Sequence, residues 1–248
     1  MKPGKFLIAA AAVALSAGCN GESGTGGGTD APSGPAQTVA PPQGQTWDQI
    51  VTKTDAGGYL MGNPNAPVKL VEFASMTCPH CAAFDEQVDE LVNDYVKTGQ
   101  VSFDFRNFVR DPYDLAASLI ARCGGPGRFF PLTHAMFESQ DEWIQTLQAA
   151  PPERMQAVMA MGPDRQFVEI AEMAGFQTWA AQRGLPSAQT STCLTNESEI
   201  NQLVQMNADA GQQFSIPGTP SFVINGELVD NATTWDALEP KLRDAVGG

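Results

Sequence analysis

The segment FASMTCPHC, residues 73–81 of this 248-residue sequence, places two cysteines one helical turn apart directly after an apolar strand. Pro79 suits the first position of a helix, so we expect Cys78 at the helix N-terminus. Free backbone amides and the helix dipole there favour a thiolate. His80 adds a donor or a positive charge, and Cys81 is placed to attack a mixed disulfide formed at Cys78. The pattern indicates dithiol–disulfide chemistry.

A Cys-x-x-Cys pair also supplies half of many zinc sites. A complete zinc site needs a second close pair of cysteine or histidine ligands. After Cys81 the sequence offers only Cys123, Cys193 and His134, which lie far apart in the chain. We therefore expect neither a metal nor another cofactor at Cys78 and Cys81.

The charge composition argues against nucleic acid as a partner. The chain carries 28 acidic residues against 14 Lys and Arg, a formal net charge of −14. It has no basic stripe that could neutralise phosphates. The acidic balance fits a soluble, exported protein.

The N-terminus has the pattern of a bacterial lipoprotein signal peptide. Lys2 and Lys5 precede the apolar run 6–15, which is too short to cross a bilayer but fits the core of a signal peptide. Residues 15–19, Leu-Ser-Ala-Gly-Cys, resemble the lipobox, whose cysteine is lipidated and becomes the first mature residue. We therefore expect residues 1–18 to be a signal peptide and Cys19 to anchor the chain to a membrane. The alternative is an ordinary signal peptide with a chance cysteine.

Residues 19–46 are rich in Gly, Ser, Thr, Pro and Ala and nearly lack large apolar side chains. Such a composition cannot offset the entropy of ordering, so it predicts a flexible tether.

Four cysteines remain without Cys19, an even number that fits an oxidising compartment. If Cys78 pairs with Cys81, then Cys123 is left to pair with Cys193. That bridge would close a long loop and stabilise the fold by roughly 3–5 kcal/mol in the chain-entropy model. Two unrelated buried thiols are the alternative, because sequence alone does not fix connectivity.

The hydrophobic pattern predicts strands on either side of a long helical region. We expect a buried strand at 68–73, a helix over 79–97 and a strand with one buried face at 101–106. Helical periodicity then runs from Pro112 to about 213. Its expected core residues are Leu115, Leu119, Ile120, Phe137, Trp143, Ile170, Ile200, Leu203 and Val204.

Strand character returns near the C-terminus. Residues 221–224 are followed by Asn225-Gly226, a strong hairpin signal, and the chain pairs back through Leu228 and Val229. A last helix presents Trp235, Leu238 and Leu242 on one side, although Pro240 lies inside it.

This order of elements resembles the DsbA family, a thioredoxin fold interrupted by an all-helical domain. The likeness runs from about Trp47 to the C-terminus and rests on three motifs: Val71-Glu72-Phe73, Cys78-Pro79-His80-Cys81 and Gly218-Thr219-Pro220. It implies an α/β protein whose thioredoxin fold occupies residues 47–112 and 214–248, with the helical insertion at 113–213.

The resemblance also implies a function. We expect a protein thiol:disulfide oxidoreductase of the periplasm that oxidises cysteine pairs of unfolded or partly folded exported proteins, and that a membrane or periplasmic redox partner resets. In that family the proline matching Pro220 is cis and lies against the catalytic disulfide. The residue before it, Thr219, offers its backbone to the substrate, and Pro79 is the second expected substrate contact. Glu72 matches a buried acid that helps proton movement at the resolving cysteine.

Several alternatives stay open at this point. The direction could be isomerase or reductase, and the chain could instead be a metal- or peptide-binding lipoprotein. Glu72 could face solvent or pair with Arg106. We interpret His134 as a packed helix residue among Phe129, Phe130 and Phe137. Met155, Met159 and Met161 fit a core better than a peptide groove or a soft-metal site.

Overall fold

The computed structural model describes residues 39–247. The expected signal peptide, the lipidation site Cys19 and residues 20–38 of the expected tether lie outside the described residues. At residue 39 the chain already contacts the folded part, because the Val39 amide donates to the Thr98 carbonyl and the Val39 carbonyl accepts from Trp47 Nε1. None of the helices in residues 39–247 combines the length and apolar character needed to span a bilayer.

One six-stranded sheet forms the centre of the structure. Its strands in chain order are β1 (Val51–Lys53), β2 (Tyr59–Gly62), β3 (Val68–Ala74), β4 (Val101–Asn107), β5 (Ser221–Ile224) and β6 (Glu227–Leu228). In space the order is β1-β2-β4-β3-β5-β6. Only the β3–β4 pair is parallel within this sheet, and the other neighbours are antiparallel.

The helices fall into three groups along the chain. Between β3 and β4 lie α1 (Pro79–Asp85) and α2 (Val88–Leu91), and α2 continues as a π-helical segment, Val92–Val96. Between β4 and β5 lie α3 (Pro112–Arg122), α4 (Pro126–Glu138), α5 (Gln140–Gln148), α6 (Pro152–Met159), α7 (Pro163–Met173), α8 (Phe176–Gln182), α9 (Ser187–Leu194) and α10 (Glu197–Phe214). The chain ends with α11 (Trp235–Val246). The predicted thioredoxin fold with a helical insertion is confirmed.

The two central strands are buried on both faces. Alternate side chains of β3 point to opposite sides, so Leu70 and Ala74 join the main core while Val71 and Phe73 pack near Ala210 of α10. The prediction of one buried face for β4 is wrong, because Val101 through Phe105 are all buried. The alternation of polar and apolar residues in β4 predicts one exposed face, but α10 covers that face of the sheet.

Other local predictions differ from the structure in ways that sequence periodicity does not reveal. The helix expected over 79–97 is interrupted after Asp85, where Gln87 leaves helical geometry before α2 begins. The short strands β1 and β2 were not predicted. Val204, expected in the core, is 55% exposed on the outer side of α10. The other eight core residues predicted for the helical region are buried.

A disulfide bond ties two distant helices of the insertion together. Cys123, directly after α3, is joined to Cys193 of α9 with a Cα–Cα distance of 5.6 Å. Next to this bond in the chain, Arg122 is buried and donates to Glu199 of α10, to Asn107 and to the Gly57 carbonyl. The end of α3 is therefore fixed both covalently and by a buried guanidinium.

We predict that replacing Cys123 and Cys193 together by Ser lowers the free energy of unfolding by about 4 kcal/mol. The bond spans 70 residues, and closing so long a loop removes much of the entropy of the unfolded chain. Denaturant titrations of both proteins under non-reducing conditions measure the difference. Equal unfolding midpoints, or free thiols at both positions in oxidised protein, would contradict a structural role for the bond.

Candidate active site

The two active-site cysteines lie at the point where β3 gives way to α1. Cys78 is the N-cap residue of α1 with extended backbone angles, and Pro79 occupies the first helical position. Both cysteines are free thiols in this structure. Cys78 is 2% exposed and Cys81 is 0% exposed, whereas Pro79 and His80 are exposed at the helix tip. A partner can therefore approach Cys78 more closely than Cys81.

Hydrogen bonds converge on the Cys78 sulfur and lower the pKa of this thiol to about 5. The largest contribution is the hydrogen bond from the Cys81 side chain. Burial opposes it, the Thr219 side chain adds to it when the sulfur is a thiolate, and the backbone amides of Cys81 and His80 add to it as well. The amides at the helix N-terminus act as the sequence suggested, but the Cys81 thiol contributes more than they do. Near neutral pH Cys78 is a thiolate.

The surroundings of Cys81 shift the pKa of its thiol in the opposite direction. Burial raises the pKa of this thiol strongly, and its hydrogen bond to Cys78 and the nearby Glu72 carboxyl raise it further. Cys81 therefore stays protonated near neutral pH. It needs a base close by before it can attack a disulfide.

The loop before β5 faces Cys78. The Thr219–Pro220 peptide bond is cis, and the Cys78 thiol donates to the Thr219 carbonyl oxygen at 3.2 Å. The Thr219 Oγ1 atom is buried and has no hydrogen-bond partner among the described residues in this dithiol form. Its hydroxyl is thus available to donate to the Cys78 thiolate.

Glu72 lies inside the protein, on the same side of β3 as Leu70 and Ala74. It is 3% exposed, with Phe105 and Phe222 as its neighbours on the adjacent strands. Burial raises the pKa of its carboxyl well above the usual range, and the charges of Asp85 and Cys78 raise it further. Neither alternative considered for this residue holds. Glu72 does not face solvent, and Arg106 pairs instead with Asp104 at 2.8 Å.

The helical insertion holds the loop that precedes Cys78. The Asp114 carboxylate of α3 accepts from the Met76 amide at 2.9 Å and from Ser75 Oγ at 2.6 Å. Gln140 of α5 donates to the carbonyls of Met76 and Cys78 at 2.8 and 3.0 Å. Sequence reasoning missed Asp114 and Gln140, because each acts on a loop 38 to 64 residues away. In the structure Asp111 caps the start of α3 and so helps to place Asp114.

One further sequence interpretation changes. His134 is not packed among phenylalanines, because its side chain is 46% exposed and its Nδ1 lies 2.6 Å from Asp85 Oδ2. It lies on the outer face of α4, while Phe129 and Phe137 point inward. The three methionines are partly buried against the core, as expected. Met155 Sδ accepts a hydrogen bond from the Tyr113 hydroxyl.

Within residues 39–247, no group of three or more His, Cys, Asp or Glu side chains is arranged to hold a metal ion.

Comparisons with known proteins agree with this architecture. The thioredoxin family model matches residues 54–244. A protein-disulfide isomerase from Novosphingobium aromaticivorans superposes with a TM-score of 0.72 at 34% identity, covering 76% of this chain and 97% of that protein. Wolbachia pipientis α-DsbA1 superposes with a TM-score of 0.62 at 20% identity, covering 82% and 96%. The chain therefore belongs to the thioredoxin family, and its fold is that of the DsbA-like proteins.

Curated relatives have names that point to the same chemistry. Disulfide bond formation protein D of Bacillus subtilis is 21% identical over 77% of this chain and 78% of that protein. A Rickettsia prowazekii protein named as a protein-disulfide oxidoreductase is 25% identical over 74% of this chain. The match spans only 60% of the length of that Rickettsia protein.

We predict that the rate at which iodoacetamide alkylates the reduced protein at Cys78 rises with pH to a plateau, with its midpoint near pH 5. The thiolate is the nucleophile, so the rate follows the pKa of Cys78, lowered to about 5. Thr219→Val removes the hydroxyl and should move the midpoint to higher pH, whereas Thr219→Ser should restore it. Mass spectrometry of the labelled peptides gives both profiles. A midpoint near the ordinary thiol value of about 8.5 would contradict the electrostatics described here.

Proposed function

We propose that this protein is a thiol:disulfide oxidoreductase that acts outside the cytoplasm and oxidises cysteine pairs of exported proteins through Cys78 and Cys81. The observation that carries the proposal is the contrast between the two thiols. Cys78 has a low pKa and lies nearer the surface, while Cys81 is fully buried and has a raised pKa. Such a pair provides one attacking and one resolving sulfur.

The oxidation proceeds in two exchanges. A substrate thiolate attacks Cys78 Sγ of the oxidised protein, the Cys78–Cys81 bond breaks, and a mixed disulfide forms. Cys81 leaves as a thiolate and takes a proton, for which the buried Glu72 carboxyl is the donor. A second substrate thiolate then attacks the substrate sulfur of the mixed disulfide. The substrate leaves with a disulfide, and Cys78 is left as a thiolate.

The low pKa of Cys78 favours this direction. A stabilised thiolate is a good leaving group in the second exchange, and it stabilises the reduced protein relative to the disulfide. A disulfide whose reduced form is stable passes its oxidising equivalents readily to a substrate. A separate redox partner must then remove two electrons from Cys78 and Cys81 to complete the cycle.

Isomerisation is the second candidate, because the Novosphingobium relative at 34% identity is named a protein-disulfide isomerase. The same Cys78 thiolate would start isomerisation by attacking a substrate disulfide. The redox state in which the protein is kept decides between the two activities.

Substrate contacts are proposed at Thr219, which contacts the reactive sulfur, and at Pro79, which follows Cys78 at the start of α1. The Thr219 carbonyl lies 3.2 Å from Cys78 Sγ, so its backbone is beside any polypeptide joined to that sulfur. Pro79 and His80 are exposed next to it. A chain that binds here would use main-chain hydrogen bonds, which tolerate many substrate sequences.

Lipidation at Cys19 and attachment to a membrane complete the proposal, on the strength of the lipobox pattern in residues 15–19. We predict that Cys19→Ser moves the protein from the membrane fraction to the soluble periplasmic fraction, with its exchange activity intact. Fractionation followed by immunoblotting measures the distribution. Equal membrane association of both forms would show that residue 19 is not the anchor.

We predict that Cys81→Ala accumulates mixed disulfides with exported proteins, because the covalent intermediate at Cys78 can no longer be resolved from within the protein. Cys78→Ala should trap few partners, since the remaining thiol is buried and protonated. Non-reducing gels of both variants expressed in a periplasm, followed by mass spectrometry of the adducts, measure this.

The same pair of variants separates catalysis from metal binding. A metal-binding module would lose metal equally in both variants and form no adducts. Adducts of equal abundance in the two variants would contradict the assignment of Cys78 as the attacking sulfur and Cys81 as the resolving sulfur.

A further inference from the structure

A cleft of about 320 Å³ lies beneath the active site, and Glu72 forms part of its wall. Phe103, Phe105 and Val88 supply apolar wall, and Thr133 of α4 adds a polar group. The hydroxyl of Thr133 and one carboxylate oxygen of Asp48 are buried without a hydrogen-bond partner among the described residues. A cleft of this volume has room for several water molecules at roughly 30 Å³ each, and water there would satisfy these buried polar groups.

Asp85 and His134 separate this cleft from the surface beside the active site. Both residues also line a second groove of about 460 Å³, which includes Pro79 next to Cys78. Asp85 ends α1, and His134 lies on α4, with 2.6 Å between Asp85 Oδ2 and His134 Nδ1. The His134 side chain is 46% exposed and the Asp85 side chain 13%. The pair therefore has one member on the inner side and one open to solvent.

We propose that Glu72 exchanges its proton with solvent through the Asp85–His134 pair, across the water in the inner cleft. The inference rests on the proposed function, because it concerns the proton that Cys81 takes up and releases in each exchange. Asp85 and His134 are positioning residues in this account, since neither touches a reacting sulfur.

The direction of transfer follows from the state of each group. Burial raises the pKa of Glu72 well above its usual range and so favours its protonated form, and a protonated Glu72 must lose its proton before it can accept the one on Cys81. Burial raises the pKa of Asp85 to about 6, and His134 opposes that shift. Burial disfavours a charged His134 ring, but the carboxylates of Asp85, Glu138 and Asp89 together outweigh it and raise the pKa of His134 above its usual value. The pair therefore gains and loses a proton near neutral pH.

Other charged groups face the pair and the cleft. Glu138 Oε1 lies 3.5 Å from His134 Nε2 on the surface side. Asp89 follows α1 in the chain and adds negative charge near both members. Asp48 lies across the cleft, where its second oxygen is 3.8 Å from Lys97 Nζ. These carboxylates favour a protonated pair, and they do not provide a shared hydrogen bond like the one between Asp85 and His134.

The experiment separates the two chemical steps in the full-length protein. Reduced protein is mixed with oxidised glutathione in weak buffer at pH 7, quenched with acid and examined by mass spectrometry. The first step, formation of the glutathione mixed disulfide, depends on Cys78. The second step, formation of the Cys78–Cys81 disulfide with release of glutathione, requires Cys81 to give up its proton to Glu72.

We expect His134→Gln to slow the second step by about tenfold or more and to leave the first unchanged, because loss of a proton-transfer group costs at least that much. Glutamine can still donate to Asp85 but cannot carry the proton. Added imidazole should restore the rate of this variant and leave the wild type unaffected. Asp85→Asn should behave in the same way, and His134→Gln should slow Glu72→Gln no further.

Arg243→Gln serves as the matched control, since it removes an exposed ion pair with Glu239 and lines neither cleft. A second step that is unchanged in His134→Gln, or slowed without rescue by imidazole, overturns the relay. Both results leave the proposed function in place. Failure of the wild type to form the mixed disulfide would instead count against the proposed function itself.

Discussion

The interaction on which the site depends is the set of hydrogen bonds that converge on the sulfur of Cys78. They come from the Cys81 thiol and the amides of the first turn of α1, the Thr219 hydroxyl adds to them once the sulfur is a thiolate, and together they outweigh the burial of the sulfur. Each donor is placed by a different part of the fold. The strand β3 sets the start of α1, the loop before β5 brings Thr219, and the helical insertion fixes the backbone before Cys78 through Asp114 and Gln140.

The insertion is therefore part of the architecture of the candidate active site. Asp114 is fully buried, and burial raises the pKa of its carboxyl to about 6 although three hydrogen bonds oppose the shift. Burying a carboxyl is costly unless its hydrogen bonds are satisfied, and here Ser75, Met76 and Arg110 satisfy it. The same hydrogen bonds hold in place the backbone that leads to Cys78. The disulfide between Cys123 and Cys193 fixes the far end of the same helix.

Local sequence patterns predicted the elements that carry the chemistry, and long-range contacts set what the patterns missed. Cys78-Pro79 is a local helix start, and Asn225-Gly226 is a local turn, so both were readable from the chain. Glu72 was a candidate because a charged residue in an apolar strand is costly unless it has a function. Its burial agrees with such a function. The second buried face of β4, the exposure of His134 and the clamp formed by Asp114 and Gln140 depend on which helices pack against the sheet. Periodicity within one segment carries no information on that packing.

We infer that the fold stabilises the reduced form of the Cys78–Cys81 pair by stabilising the Cys78 thiolate. The decisive measurement is the reduction potential of this pair, obtained by equilibrating the protein with glutathione buffers and counting free thiols. We expect a potential well above the value of about −270 mV for thioredoxin and towards the value of about −120 mV for DsbA. A potential at or below that of thioredoxin would contradict it, because the thiolate would then give the reduced form no advantage.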